Sequence, residues 1–150
     1  MTEVVIRPIK ESDKKAWLNL WQQYLTFYES TLDDEVTETT WKRFFDFTET
    51  VYAAVAEAAD KTVIGFVTWV THRSTWAIEN YIYLHDLFVD PSARLKGVGR
   101  QLIEYVYKIG EDTKADRVYW QTQVHNHRAQ LLYTSVGKRD GFVVYRWPKS

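Results

Sequence analysis

The chain has 150 residues, 45% of them apolar and 16% aromatic, and a formal net charge of −1. That length suits one domain with a sizeable core, and the apolar share excludes the disordered class. The near-neutral charge offers no bulk attraction to nucleic acid or to a membrane surface. The absence of cysteine excludes disulfides, thiolate metal sites and a cysteine nucleophile.

Lack of cysteine fits a reducing compartment, so a cytoplasmic location is expected. The opening "MTEVVIRPIKESDKKAW" has no apolar stretch behind a basic start, and predicts no secretory leader. No window approaches the ~18 consecutive apolar residues of a membrane span.

Val4–Ile6 reads as a short strand stopped by Pro8. Ser12 or Asp13 can cap a helix in which Trp17, Leu20, Trp21, Tyr24 and Tyr28 recur on one face. The acidic loop "ESTLDDEVTE" follows, with Glu29, Asp33, Asp34, Glu35 and Glu38, and then a second helix over 38–47. Residues 50–57 and 62–71 read as antiparallel strands, because the turn at Ala59-Asp60-Lys61 is too short for a crossover. The run "NYIYLHDLFV" at 80–89 is the strongest strand, ended by Asp90-Pro91. A helix from Val98 to Glu111 carries Val98, Leu102, Tyr105, Val106 and Ile109 on its apolar stripe. Residues 116–122 form a strand that a whole helix separates from its predecessor, so the two run parallel. Asn126 can cap a last helix with Ala129, Leu132, Tyr133 and Val136 inward and Gly137 at its end. "GFVVYRW" closes the chain as a strand. The order is β-α-α-β-β-β-α-β-α-β, a mixed α/β fold around one sheet.

The stretch "RLKGVGRQLI" joins the strongest strand to its helix. The first amides of a helix lack partners within it, the helix dipole adds partial positive charge there, and glycine lets a phosphate approach the backbone. Arg94, Lys96 and Arg100 surround the turn. This is a recipe for binding phosphate or pyrophosphate; the alternative is a merely tight turn. Neither GxxxxGK[ST] nor GxGxxG is present.

Arg94-x-x-Gly97-x-Gly99 resembles the Q/R-x-x-G-x-G/A signature of the GNAT N-acetyltransferases, which use acetyl-CoA. "YLHDLFVDPSARLKGVGRQLI" resembles that family's fourth strand, pyrophosphate loop and third helix. "RVYWQTQVHNHRAQLLYTSVGKRDGFVVY" resembles its fifth strand, its helix opened by Asn with a late Tyr, and its sixth strand. Within the family the C-terminal half is similar to enzymes acetylating polyamines, amino acids or histone tails. The resemblance implies a single N-acetyltransferase domain over residues 1–150. It also implies that the backbone of Leu87, Phe88 and Val89 grips the pantetheine arm. Arg94, Leu95, Lys96, Gly97, Val98, Gly99 and Arg100 would take the pyrophosphate.

Acetyl transfer to an amine needs a base for the ammonium and an acid for the departing thiolate. By the same resemblance Tyr133 is the acid, a phenol protonated at pH 7. Its alternative is a core aromatic. Asn126 would bind the cofactor arm, cap its helix, or do both. Where polyamine-type relatives read Y-L-E-D, this chain has His85 followed by Asp86. His85 is the expected base, with Asp86 or a water chain as alternatives. Strand alternation would put His85 and Asp86 on opposite faces, so that only one meets the acceptor. His72, His125 and His127 make a poor metal set, and no metal is expected. The acidic loop either attracts a cationic amine or is simply solvated, and the alternative is a pocket for an apolar amine lined by Trp and Tyr of the first helix.

The resulting expectation is direct acetylation of a small primary amine of polyamine or amino-acid type. Lysine side chains, histone tails or protein N-termini are the alternative acceptors. A non-catalytic acyl-CoA sensor and an unrelated nucleotide-binding module are rivals of other classes. The resemblance leaves the oligomeric state open: family members are often dimers, and the aromatic segment Phe142–Trp147 either pairs across a homodimer interface or belongs to the core.

Overall fold

The computed structural model describes residues 3–93 and 97–149. The elements run β1 (Val4–Pro8), α1 (Lys14–Phe27), α2 (Asp34–Arg43), β2 (Val51–Ala58), β3 (Val63–His72), β4 (Tyr81–Val89), α3 (Val98–Thr113), β5 (Arg117–Tyr119) and α4 (His127–Val136). The five strands form one sheet in sequence order. Pairs β1–β2, β2–β3 and β3–β4 are antiparallel, and β4–β5 is parallel. The parallel pair is the one whose strands are joined through a helix, as the connection length requires.

Two cores lie on opposite faces of this sheet. On one, α1 buries Trp17, Leu20, Trp21 and Leu25 against Val55 and Phe66, and Trp41 of α2 completes the layer. Its centre is an aromatic cluster, with Trp17 stacked on Trp21 at 5.1 Å and tilted against Trp41 at 5.3 Å. On the other face, Val98, Leu102, Ile103 and Val106 of α3 pack on Ala54, Val67, Ile82 and Leu84. Leu132, Tyr133 and Val136 of α4 join the margin of this second core. The stripes expected for α1 and α3 are thus the faces that they bury.

Asp13 does not cap α1 with its side chain. It is buried, and it takes both arms of the Arg7 guanidinium, at 2.8 and 2.9 Å, with the Lys10 amide at 2.8 Å. Arg7 also reaches Glu57 at 2.9 Å, so one cation ties β1, β2 and the entry to α1 together. Arg7 holds the Asp13 carboxyl below its ordinary range. That contribution is complete above the ordinary carboxylate pKa and is lost as pH falls through the lower folded value. Replacing Asp13 by Ala is expected to cost about 2–3 kcal/mol in chemical denaturation, because it leaves the Arg7 charge half-buried and short of a partner.

Three expectations are corrected. The second helix begins four residues early, at Asp34, where Asp34 and Glu35 complement the positive end of its dipole. The fifth strand has only three residues. The closing strand does not form: residues 142–147 have no ladder partner among the described residues. Phe142, Val143, Val144, Tyr145 and Trp147 are all exposed. β-Branched and aromatic residues favour a strand only where an edge is there to pair and pack with them.

Candidate active site

The N-terminus of α3 opens on Gly97, whose φ of 81° is left-handed. An added Cβ there would meet nothing within 4 Å, but the backbone angle itself disfavours any other residue. The Gly97 carbonyl accepts the Gln101 amide at 2.9 Å, which leaves the amides of Val98, Gly99 and Arg100 without partners inside the helix. Arg100 lies exposed beside them, 3.6 Å from Glu104. Arg94, Leu95 and Lys96 lie outside the described residues.

A β-bulge shapes the middle of β4. Thr68 pairs with Asp86 and Trp69 with Leu84, so His85 is an extra residue without an opposite number. The bulge resets the alternation. Leu84 and Leu87 both pack on the α3 side, while Tyr83, His85 and Asp86 gather on the α1 side. The expected separation of His85 from Asp86 on opposite faces therefore fails. The His85 ring lies 5.1 Å from Tyr83, and its Nδ1 is 3.3 Å from Asp86 Oδ1.

Asp86 is held by more than His85. The Tyr24 hydroxyl of α1 donates to Oδ1 at 2.7 Å, and the buried Thr68 hydroxyl donates to Oδ2. A carboxylate fixed in this way keeps the histidine proton on Nδ1 and leaves Nε2 as the free lone pair. The Asp86 hydrogen bond raises the His85 pKa above its ordinary 6.5, against an opposing effect of burial. Burial, reinforced by the Asp86 charge, pushes the Tyr24 and Tyr28 hydroxyls well up.

Beyond Tyr83 and Tyr119 the ladder between β4 and β5 stops, although β4 continues to Val89. The strands part there, and the β5-facing backbone edge of β4 from Leu84 to Val89, which includes Leu87, Phe88 and Val89, is left without a strand. A small cleft lies at the parting, lined by Leu84, Leu87, Ile103, Trp120 and Tyr133. Tyr133 projects from α4 onto Trp120, with ring centres 5.6 Å apart. Burial raises its pKa, with a smaller effect from Tyr28, so it remains a proton donor at neutral pH. Asn126 accepts the Ala129 amide at 3.3 Å and so caps α4. Gly137 ends that helix in extended conformation instead of the left-handed turn, and a Cβ there would meet Trp120 at 3.0 Å.

Tyr24, Tyr28 and Thr68 are the site residues that sequence reading missed. The tyrosines of α1 read only as apolar stripe or as lining for an apolar amine, with no signal for the Tyr24 bond to Asp86. Thr68 stood out only as the polar member of "IGFVTWV". In the acidic loop, Glu29, Asp33, Asp34 and Glu35 are exposed, and Glu38 pairs with Lys14 at 3.0 Å. His72 is engaged by the Arg73 carbonyl and the Tyr119 hydroxyl, each at 2.7 Å. Among the described residues no helix is long and apolar enough to cross a membrane.

A mixed sheet whose last two strands part beyond Tyr83 and Tyr119, with a helix that opens on glycine after the longer of them, fits an acyl-CoA N-acyltransferase fold. The chain belongs to the GNAT acetyltransferase family, whose model, "Acetyltransferase (GNAT) family", matches residues 14–137. It is 40% identical to the D-amino-acid N-acetyltransferase HPA3 of Saccharomyces cerevisiae over 144 residues, covering 95% of this chain and 89% of that protein. It is 30% identical to the thialysine N-epsilon-acetyltransferase of Bos taurus, over 93% of this chain and 86% of that one. In fold it matches the aminoglycoside N-acetyltransferase AAC(6')-Iy in complex with CoA, with a TM-score of 0.81, 21% identity, and coverage of 99% and 96%. The protein is therefore an acetyltransferase by family.

Proposed function

We propose that the protein moves an acetyl group from acetyl-CoA directly to a primary amine of a small molecule, of polyamine or amino-acid type. The observation that carries this reading is the gathering of His85 and Asp86 on one face, where β4 parts from β5. The amino-acid acceptors named for the relatives support it.

In this reading, residues 1–150 act as one catalytic unit and need no metal. The free amides at the start of α3, with Arg94, Leu95, Lys96 and Arg100, hold the diphosphate. The fit rests on the left-handed Gly97 and on the amides of Val98, Gly99 and Arg100, which have no partner among the described residues. The open edge of β4 at Leu87, Phe88 and Val89 hydrogen-bonds the pantetheine arm, and Asn126 keeps an amide N–H free for it while capping α4. Acetyl-CoA supplies the acyl group as an activated thioester. His85 Nε2 takes a proton from the acceptor ammonium. The amine nitrogen bonds the acyl carbon as the carbon–sulfur bond breaks; Tyr133 gives its hydroxyl proton to the departing sulfur and regains one from the new amide nitrogen, which sheds its second proton. Asp86 is a positioning residue, held by Tyr24 and Thr68.

The test is release of free CoA on mixing acetyl-CoA with a panel of polyamines, amino acids and peptides. Turnover with small amines supports the reading; turnover with peptides alone overturns it in favour of protein acetylation. A second test is the pH profile. Only neutral His85 accepts a proton, so kcat/KM rises with pH, with a midpoint above 6.5 because Asp86 favours the charged ring. Asp86→Asn removes that bias and moves the midpoint to lower pH. An unmoved midpoint contradicts the pairing.

The exposed apolar segment Phe142–Trp147 supports a homodimer, since its residues lie uncovered on a single chain. Sedimentation velocity is expected to give a dimer that truncation after Asp140 converts to monomer; a monomeric intact chain contradicts this.

A further inference from the structure

The α1 side of the sheet is covered only in part. Past the C-terminal end of α1 it shows a continuous aromatic face. The His85 ring lies 5.1 Å from Tyr83, Tyr83 lies 5.0 Å from Tyr119, and Tyr119 lies 6.2 Å from Tyr81. The Arg117 guanidinium sits 4.8 Å above the Tyr81 ring. These side chains are half-buried or exposed. His72 anchors the Tyr119 hydroxyl, so the floor is fixed by a hydrogen bond on the protein side.

Arg117 is the unusual member. Among the described residues it has no carboxylate within ion-pair distance and no hydrogen-bond acceptor. It is a cation spread on an aromatic ring, with its donor edge free. Guanidinium is the side chain best matched to a carboxylate, which it grips with two parallel hydrogen bonds.

We propose that this face is the acceptor platform, and that it selects an amino acid acetylated on the amine of its side chain. The distal amine lies at His85, the stem crosses Tyr83 and Tyr119, and the α-carboxylate meets Arg117. The inference rests on the acetyl-transfer reading above and adds the acceptor to it. Length argues for the distal amine. Tyr81 and His85 are four residues apart on β4, roughly 10–13 Å, and Arg117, in register with Tyr81, lies over the Tyr81 ring. An α-amine and its own carboxylate are too close together to touch both ends. Charge argues against a plain polyamine, which would bring a second cation to Arg117 and nothing to pair with it.

Lysine, lysine amide and cadaverine separate the possibilities, since they share the stem and the distal amine and differ at the far end. With the intact protein, lysine is expected to have the lowest KM, and mass fragmentation to place the acetyl group on its side-chain amine. Arg117→Gln is expected to raise KM for lysine about tenfold or more, the loss of one charge-assisted pair, while kcat stays near its original value. The same change should not raise KM for lysine amide or for cadaverine, whose far ends carry no carboxylate. Tyr119→Ala, which shortens the floor, should raise KM for all three. A thermal melt of each variant establishes that it is folded. Equal KM values for lysine and cadaverine, or an Arg117→Gln effect shared by lysine and its amide, overturn the platform. So does a change in sedimentation with KM untouched, which would make this face a contact between copies. Absence of CoA release with any amine would instead defeat the underlying acetyl-transfer reading.

Discussion

Replacing His85 by Ala is expected to lower kcat by two to four orders of magnitude, the range of a positioned general base, while the affinity for acetyl-CoA holds. The bulge is the reason for so large an effect. It places the imidazole on the open α1 face with Nδ1 against Asp86, so Nε2 points away from the carboxylate as a base of fixed tautomer. The side chain is 56% exposed, so its removal leaves no cavity and the loss is catalytic instead of structural. Free imidazole added to the variant should restore part of the rate. A fall of less than tenfold would move the base to Asp86 or to a water chain. Asp86 is poorly suited to that role, because Tyr24 and Thr68 already occupy both of its oxygens.

Tyr133→Phe is expected to lower kcat roughly a hundredfold, with little change in KM for either substrate. Loss of a hydroxyl at unchanged ring volume preserves the packing on Trp120 and the margin of the α3 core. Burial holds the hydroxyl protonated at every pH where the enzyme would work, so the variant loses a proton donor and nothing else. This substitution also separates an enzyme from a non-catalytic acyl-CoA sensor, which would bind its ligand equally well with Phe. Unchanged acetyl-CoA binding together with no turnover in either form would favour the sensor.

Most of the fold is legible in the sequence. Trp17, Leu20 and Trp21 mark one face of α1 because helical spacing is all that brings them together, and Val98, Leu102 and Val106 do the same for α3. The parallel β4–β5 pair followed from the length of its connection. The sequence marks Gly97 as bare backbone that a phosphate can approach, and its left-handed φ of 81° is the structure's addition. What escaped depends on partners far away in the chain. Alternation assumes an unbroken ladder, and nothing in "YIYLHDLFV" tells that β3 offers no residue opposite His85. Thr68 acquires its role only because that pairing sets it across from Asp86. Tyr24 reads as core until the end of α1 is known to lie over β4. The segment Phe142–Trp147 has the composition of a strand, and among the described residues no strand edge pairs with it.

The whole account depends on where the coenzyme lies. A crystal structure with acetyl-CoA bound tests it directly. The account predicts diphosphate oxygens within about 3 Å of the amides of Val98, Gly99 and Arg100, and the thioester at the parting of β4 and β5 between His85 and Tyr133. A coenzyme lying away from the start of α3, or a thioester outside that cleft, would contradict it.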